Sequence, residues 1–145
     1  EVRVAKLTLE RSYGFSASHL YRRPEWSEAE NVRRFGRCAN LPGHGHNYRL
    51  TVWLTGPVDP ETGFLIDLGV LDETVGREVL DRMDHQHLNA ALPEFVPGAD
   101  IPTGENLVAW IAERLVAALA SVSRAKLERV RLAEDENLAA EWWSA

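Results

Sequence analysis

The only cysteine of the chain, Cys38, is followed six residues later by His44-Gly45-His46. Side chains two apart on a strand project to the same side, so both imidazoles are offered to one ion. Gly45 between them lets another backbone or a ligand come close. A third imidazole, His19, ends a segment that alternates over residues 6–19. Leu7, Leu9, Tyr13, Phe15, Ala17 and His19 share one face, and Lys6, Thr8, Glu10, Ser12, Ser16 and Ser18 share the other. Residues 44–55 alternate in the same way, with His44, His46, Tyr48, Leu50, Val52 and Leu54 together. If these two strands are neighbours, all three imidazoles point to one side of the sheet. A lone histidine on an apolar face is ordinarily a hydrogen-bonded core residue. Three on matching faces form a ligand set with an open fourth position, the catalytic type of zinc centre. A closed structural zinc site rich in cysteine is excluded by the single thiol.

Cys38 read alone is a small hydrophobe. Beside a metal and in a polar, arginine-rich segment it is expected to have a lowered pKa and to act as a base or nucleophile. Asp84 and His85, just past a helical stretch, supply an acid and an imidazole in adjacent positions. A carboxylate that orients a histidine, which polarises a thiol, is the general scheme for an activated cysteine. Such triads are defined by geometry, so spacing leaves open whether these groups meet. Glu134, Asp135 and Glu136 follow a strand and read first as an ordinary acidic run, although a carboxylate at a strand end could equally hold an amidine-like edge by two parallel hydrogen bonds. Glu105 opens a helix, where the macrodipole alone favours an acid.

The elements that must position these groups follow from patterning. Asp67 is an N-cap candidate for a helix with apolar positions Leu68, Leu71, Val75, Val79 and Met83. Residues 93–104 hold Pro93, Pro97, Gly98, Pro102 and Gly104 and read as a loop. A second helix carries the stripe Leu107, Trp110, Ile111, Leu115 and Leu119. Short strands are expected at 126–134 and 138–143. The order β-β-α-α-β-β is that of a single α+β domain over 1–145, two helices covering one face of a mainly antiparallel sheet. Trp53, Trp142 and Trp143 lie on or near strands with no helix left to cover them, which points to oligomerisation through the sheet.

The 145 residues suffice for one core. A net charge of −6 argues against nucleic acid as a partner. No apolar run approaches the ~20 residues of a membrane span. Glu1-Val2-Arg3 resembles neither a secretory signal nor a transit peptide, and one cysteine suits a reducing, cytoplasmic compartment. Arg22, Arg23, Arg33, Arg34 and Arg37 fall among Glu25, Glu28 and Glu30 and read first as a solvated, charge-mixed loop.

Five segments in order carry a resemblance: Phe15-Ser16-Ala17-Ser18-His19, Phe35-Gly36-Arg37-Cys38, Gly43-His44-Gly45-His46-Asn47-Tyr48, Asp84-His85-Gln86-His87-Leu88-Asn89 and Thr103-Gly104-Glu105-Asn106. Together they resemble the 6-pyruvoyltetrahydropterin synthase family, which includes the 6-carboxytetrahydropterin synthases of the queuosine pathway. The resemblance implies the tunnelling fold: a four-stranded antiparallel sheet, two helices on one side, and a homohexamer of two trimeric barrels. It implies zinc on His19, His44 and His46, with 7,8-dihydroneopterin triphosphate as substrate. Cys38 would be the base, Asp84 and His85 its relay, and Glu134 the anchor of the pterin ring with help from Thr103 and Glu105. The arginine-rich loop would be a candidate to hold the triphosphate. Gly104 departs from the family's Thr-Thr-Glu and removes one side-chain contact. The five residues between Cys38 and His44 are similar to the tetrahydrobiopterin type, which favours the pyruvoyl product over the carboxy product. A non-catalytic zinc- or pterin-binding relative is a further alternative, disfavoured by Cys38, Asp84, His85 and Glu134 occurring together. A hydrolase built on three histidines is disfavoured too, for want of a carboxylate beside the histidine pair.

Overall fold

The computed structural model describes residues 6–145; the leader reading of Glu1-Val2-Arg3 falls outside them. Two twelve-residue strands, β1 (Thr8–His19) and β2 (His44–Thr55), pair antiparallel along their whole length, with Ala17 opposite His46 and His19 opposite His44. The alternating stripes of both strands thus meet on one face. Phe15, Ala17, Tyr48, Leu50, Val52 and Leu54 are buried there beneath the helices. Each large apolar side chain buried in this way contributes about 1.5–3 kcal/mol.

Between the strands the expected loop contains a helix, α1 (Glu28–Phe35), capped by Ser27, followed by a 3₁₀ turn over Gly36–Ala39 that carries Cys38. Asp67 caps α2 (Leu68–Val75) as expected, its carboxylate accepting from Val70 N–H at 3.1 Å. A π turn over Gly76–Leu80 then leads into a closing turn, α3 (Asp81–Met83). Leu71, Val75, Val79 and Met83 are all fully buried. Their four-residue spacing runs ahead of a 3.6-residue turn, and the wider π turn takes back the drift so that all four stay against the sheet. Leu68, in the first turn, is exposed instead. After β3 (Gln86–His87) and α4 (Leu88–Ala91), helix α5 (Gly104–Ala120) buries Leu107, Ile111, Leu115 and Leu119. The chain ends in β4 (Lys126–Ala133) and β5 (Ala139–Trp143).

The sheet order is β3-β1-β2-β4-β5. It therefore has five strands where four were expected. Each neighbouring pair among β1, β2, β4 and β5 is antiparallel, and the added β3 pairs parallel with β1 through two residues, Gln86 and His87. Two residues carry no periodicity, which is why patterning misses them. The tryptophans divide between the two faces. Trp142 packs against the core. Trp53 and Trp143 enclose the Arg129 guanidinium on the open face, at 4.1 and 4.4 Å from the ring centroids. No helix among the described residues is long and apolar enough to cross a membrane.

Candidate metal centre and its neighbours

His19, His44 and His46 converge at one end of the β1–β2 pair. Their ligand nitrogens all lie within 4.8 Å of one another, so the cluster can hold a metal ion. His19 is 0% exposed. Burial, and then the nearby His46, His44 and His87, push it down to about 3, so the imidazole is neutral at pH 7. Its Nδ1 lies 2.8 Å from Tyr48 Oη. With Nδ1–H donating to that oxygen, the Nε2 lone pair faces His44 Nε2 at 3.2 Å. His46 Nε2 is buried and has no hydrogen-bond partner. An orphaned buried nitrogen costs about 1–3 kcal/mol unless something binds it. Three imidazole nitrogens gathered this closely fit a zinc ion with one position left for a ligand.

Two further groups border the cluster. Cys38 Sγ lies 3.9 Å from His44 Nε2. Glu134, only 8% exposed, directs Oε2 to 4.0 Å from His46 Nε2, while its Oε1 accepts from Tyr21 Oη at 3.1 Å. The expectation of a lowered thiol pKa is not met within this chain. Burial, and then Glu134, push Cys38 up, because desolvation and a neighbouring carboxylate both oppose a thiolate.

Asp84 and His85 lie elsewhere. Asp84 Oδ1 accepts from Ser16 N–H at 3.0 Å and lies 2.9 Å from His85 Nδ1. His85 donates its backbone N–H to Ser16 C=O and sits at φ 60°, a left-handed conformation uncommon for a non-glycine residue. Ser16 thus grips the pair beside β1 and β3, whereas Cys38 is tied to Tyr21, just past β1, with its Sγ beside His44 at the start of β2. Among the described residues no hydrogen bond joins Cys38 to either. The His85 side chain is 81% exposed, with Nδ1 held by Asp84 and Nε2 left free.

At α5 the Thr103 hydroxyl accepts from Asn106 N–H at 3.2 Å and so serves as the N-cap, while Glu105 is exposed. Gly104 packs beside Ala140, where an added Cβ would make an ordinary contact of 3.6 Å. The arginine cluster is largely neutralised within itself. Arg33 and Arg34 pair with Glu30, Arg22 with Glu28, and Arg23 with Glu25.

Sequence reasoning passed over Asn31 and Tyr21. Asn31, the only buried residue of α1, accepts from Arg23 N–H at 2.7 Å and donates to the carbonyls of Arg23, Trp26 and Ser27. A buried amide with four backbone partners fixes the segment that carries Cys38. Asn31→Ala is expected to destabilise the fold by about 1–3 kcal/mol, since those backbone groups lose their partner. Urea denaturation measures it; an unchanged midpoint would mean that water replaces the amide. The one available signal was Ser27-Glu28-Ala29-Glu30, a capping-box pattern.

Three imidazoles that could hold a metal ion, with a thiol and a carboxylate beside them, gather at one sheet end of an α+β domain. A family model described as 6-pyruvoyl tetrahydropterin synthase matches residues 8–145, and the chain belongs to that family. It is 37% identical over 108 residues to the 6-pyruvoyl tetrahydrobiopterin synthase of Drosophila melanogaster, covering 74% of this chain and 62% of the fly protein. It is also 37% identical over 121 residues to a putative enzyme of the same name from Caenorhabditis elegans, covering 83% and 84% of the two chains. The solved structure of Caenorhabditis elegans 6-pyruvoyl tetrahydropterin synthase superposes with a TM-score of 0.85 at 33% identity, and all of both chains is covered.

Proposed function

We propose that this chain is a zinc-dependent lyase that converts 7,8-dihydroneopterin triphosphate to 6-pyruvoyltetrahydropterin with loss of triphosphate. The observation that carries the reading is the imidazole cluster with its orphaned His46 Nε2, bordered by Cys38 on one side and Glu134 on the other. His19, His44 and His46 would hold zinc, whose Lewis acidity, when it is bound, makes the C–H bonds beside the substrate's side-chain oxygens more acidic. Glu134 accepts two parallel hydrogen bonds from the amino-pyrimidine edge of the ring. Thr103 and Glu105 flank the ring from the start of α5. Once its own proton has passed to the relay, the Cys38 thiolate takes the proton released from a side-chain carbon, and triphosphate departs with the electron pair of its C–O bond. Arg37 has no acidic partner among the described residues and directly precedes Cys38, so it is the cation we assign to the triphosphate.

The Asp84–His85 pair completes the thiol's relay from a neighbouring copy. Its exposed imidazole and its separation from Cys38 within one chain support this reading. The enzyme is accordingly read as one domain of the tunnelling fold, assembled as a cytoplasmic homohexamer of two trimers. Product analysis tests the activity. Zinc-loaded protein incubated with 7,8-dihydroneopterin triphosphate is expected to yield the pyruvoyl pterin and inorganic triphosphate, and removal of zinc by a chelator is expected to abolish both. A carboxy pterin with acetaldehyde would place the chain with the 6-carboxytetrahydropterin synthases. No product from folded, loaded protein would leave only a non-catalytic binder.

A further inference from the structure

Tyr21 touches three parts of the site at once. Its hydroxyl donates to Glu134 Oε1 at 3.1 Å. Its ring lies on His19 with centroids 4.5 Å apart. Its backbone N–H donates to the Cys38 carbonyl at 2.8 Å, which ties the thiol-bearing turn to the end of β1. Phe35 closes on the ring from the α1 side, with centroids 6.0 Å apart.

We propose that Tyr21 is a positioning residue that sets the ring selectivity of the site: by donating to Glu134 Oε1 it fixes the carboxylate so that the remaining lone pairs meet two adjacent N–H donors of a ligand. The inference rests on the reading of Glu134 as the ring anchor. An ionised carboxylate offers about four acceptor positions and no donor. A buried one without a fixed plane would turn to suit whatever ligand edge arrived. With one position of Oε1 occupied by the phenol, the plane of the group is set, and one of the remaining positions on each oxygen can face a ligand edge side by side. Such a pair suits a 2-amino-4-oxo pteridine edge, where an amino N–H and a ring N–H lie side by side. It rejects a 2,4-dioxo edge, which places a carbonyl oxygen against the carboxylate. Sites built for a particular donor pattern discriminate strongly against ligands that lack it.

Equilibrium binding of neopterin and of lumazine to zinc-loaded protein, followed by fluorescence, tests the idea. Tyr21→Phe keeps the ring, and with it the packing on His19, but removes the donor. Its neopterin Kd is expected to rise about tenfold, as for loss of one hydrogen bond to a charged group. Lumazine binding should change by less than about threefold, so the preference between the two ligands narrows. In Tyr21→Phe/Glu134→Gln the neopterin Kd should match that of Glu134→Gln alone, because the hydroxyl acts only through the carboxylate. Zinc content should equal that of wild type in every variant. An unchanged neopterin Kd in Tyr21→Phe, additive losses in the double variant, or loss of zinc from Tyr21→Phe would each overturn the proposal. If Glu134→Gln itself leaves neopterin binding intact, the reading of Glu134 fails first and takes the role of Tyr21 with it.

Discussion

Replacing Cys38 with Ala is expected to lower kcat on 7,8-dihydroneopterin triphosphate by about 10²–10⁴-fold, the range for loss of a positioned base. Bound zinc should stay at the wild-type level, because the thiol lies beside His44 and outside the histidine set. The fold should tolerate the change: Cys38 is only half-buried, and its turn is held by Asn31 and by the Tyr21 backbone rather than by the side chain. Loss of folding or of zinc in Cys38→Ala would return the thiol to a structural role. A second measurement addresses the relay. Burial and then Glu134 push the Cys38 thiol up within a single chain, so the proposed base calls for a partner that draws off its proton. If Asp84 and His85 come from a neighbouring copy, mixing inactive Cys38→Ala with inactive His85→Ala through unfolding and reassembly restores activity. Random assortment gives roughly a quarter of sites with both groups intact. No recovery after confirmed mixing would place the relay within one chain and contradict the separation of Ser16-bound Asp84 from Cys38.

That separation also marks the boundary of what the residues reveal before folding. Parity along two strands brought His19, His44 and His46 to one face, because a period of two and full antiparallel pairing leave them nowhere else to go. The stripes of α2 and α5 were equally legible, since burying them is what holds those helices on the sheet. Helix α1 was not. Its single buried residue is the polar Asn31, and it is held by a Ser27 cap and by Glu30 pairing with Arg33 and Arg34, so no apolar period announces it. Glu134 shows the same limit. On the chain it is one acid in a run of three at a strand end. Burial of its carboxylate between Tyr21 and His46 joins residues 113 positions apart for Tyr21, which no local pattern encodes. Tyr21 lies two residues past His19, outside the alternating segment, so no period marks it.

Zinc-free protein is expected to lose about 2 kcal/mol of folding stability between pH 7 and pH 5, through His19. In the unfolded chain a histidine takes up its proton near pH 6.5. In the folded chain burial, followed by His46, His44 and His87, holds His19 down to about 3. Between those two values the unfolded state binds a proton that the folded state refuses, so stability falls with pH at up to about 1.4 kcal/mol per unit. The contribution is fully present above pH 6.5 and is lost progressively down to about pH 3. The interval from 7 to 5 lies above the range where ordinary carboxylates titrate. Urea denaturation in the presence of a chelator at pH 7, 6 and 5 measures the loss. His19→Leu, which cannot titrate, should flatten the profile in that interval while also losing the Tyr48 hydrogen bond at every pH. An equal slope in wild type and His19→Leu would mean that His19 is not held neutral by the fold. A bound ion would add its binding free energy on top of this, with an affinity that falls at low pH because imidazoles must be unprotonated to ligate. The burial that makes the zinc-free fold sensitive to acid is therefore the same burial that delivers His19 as a neutral donor at pH 7, beside a His46 nitrogen that has nothing else to bind.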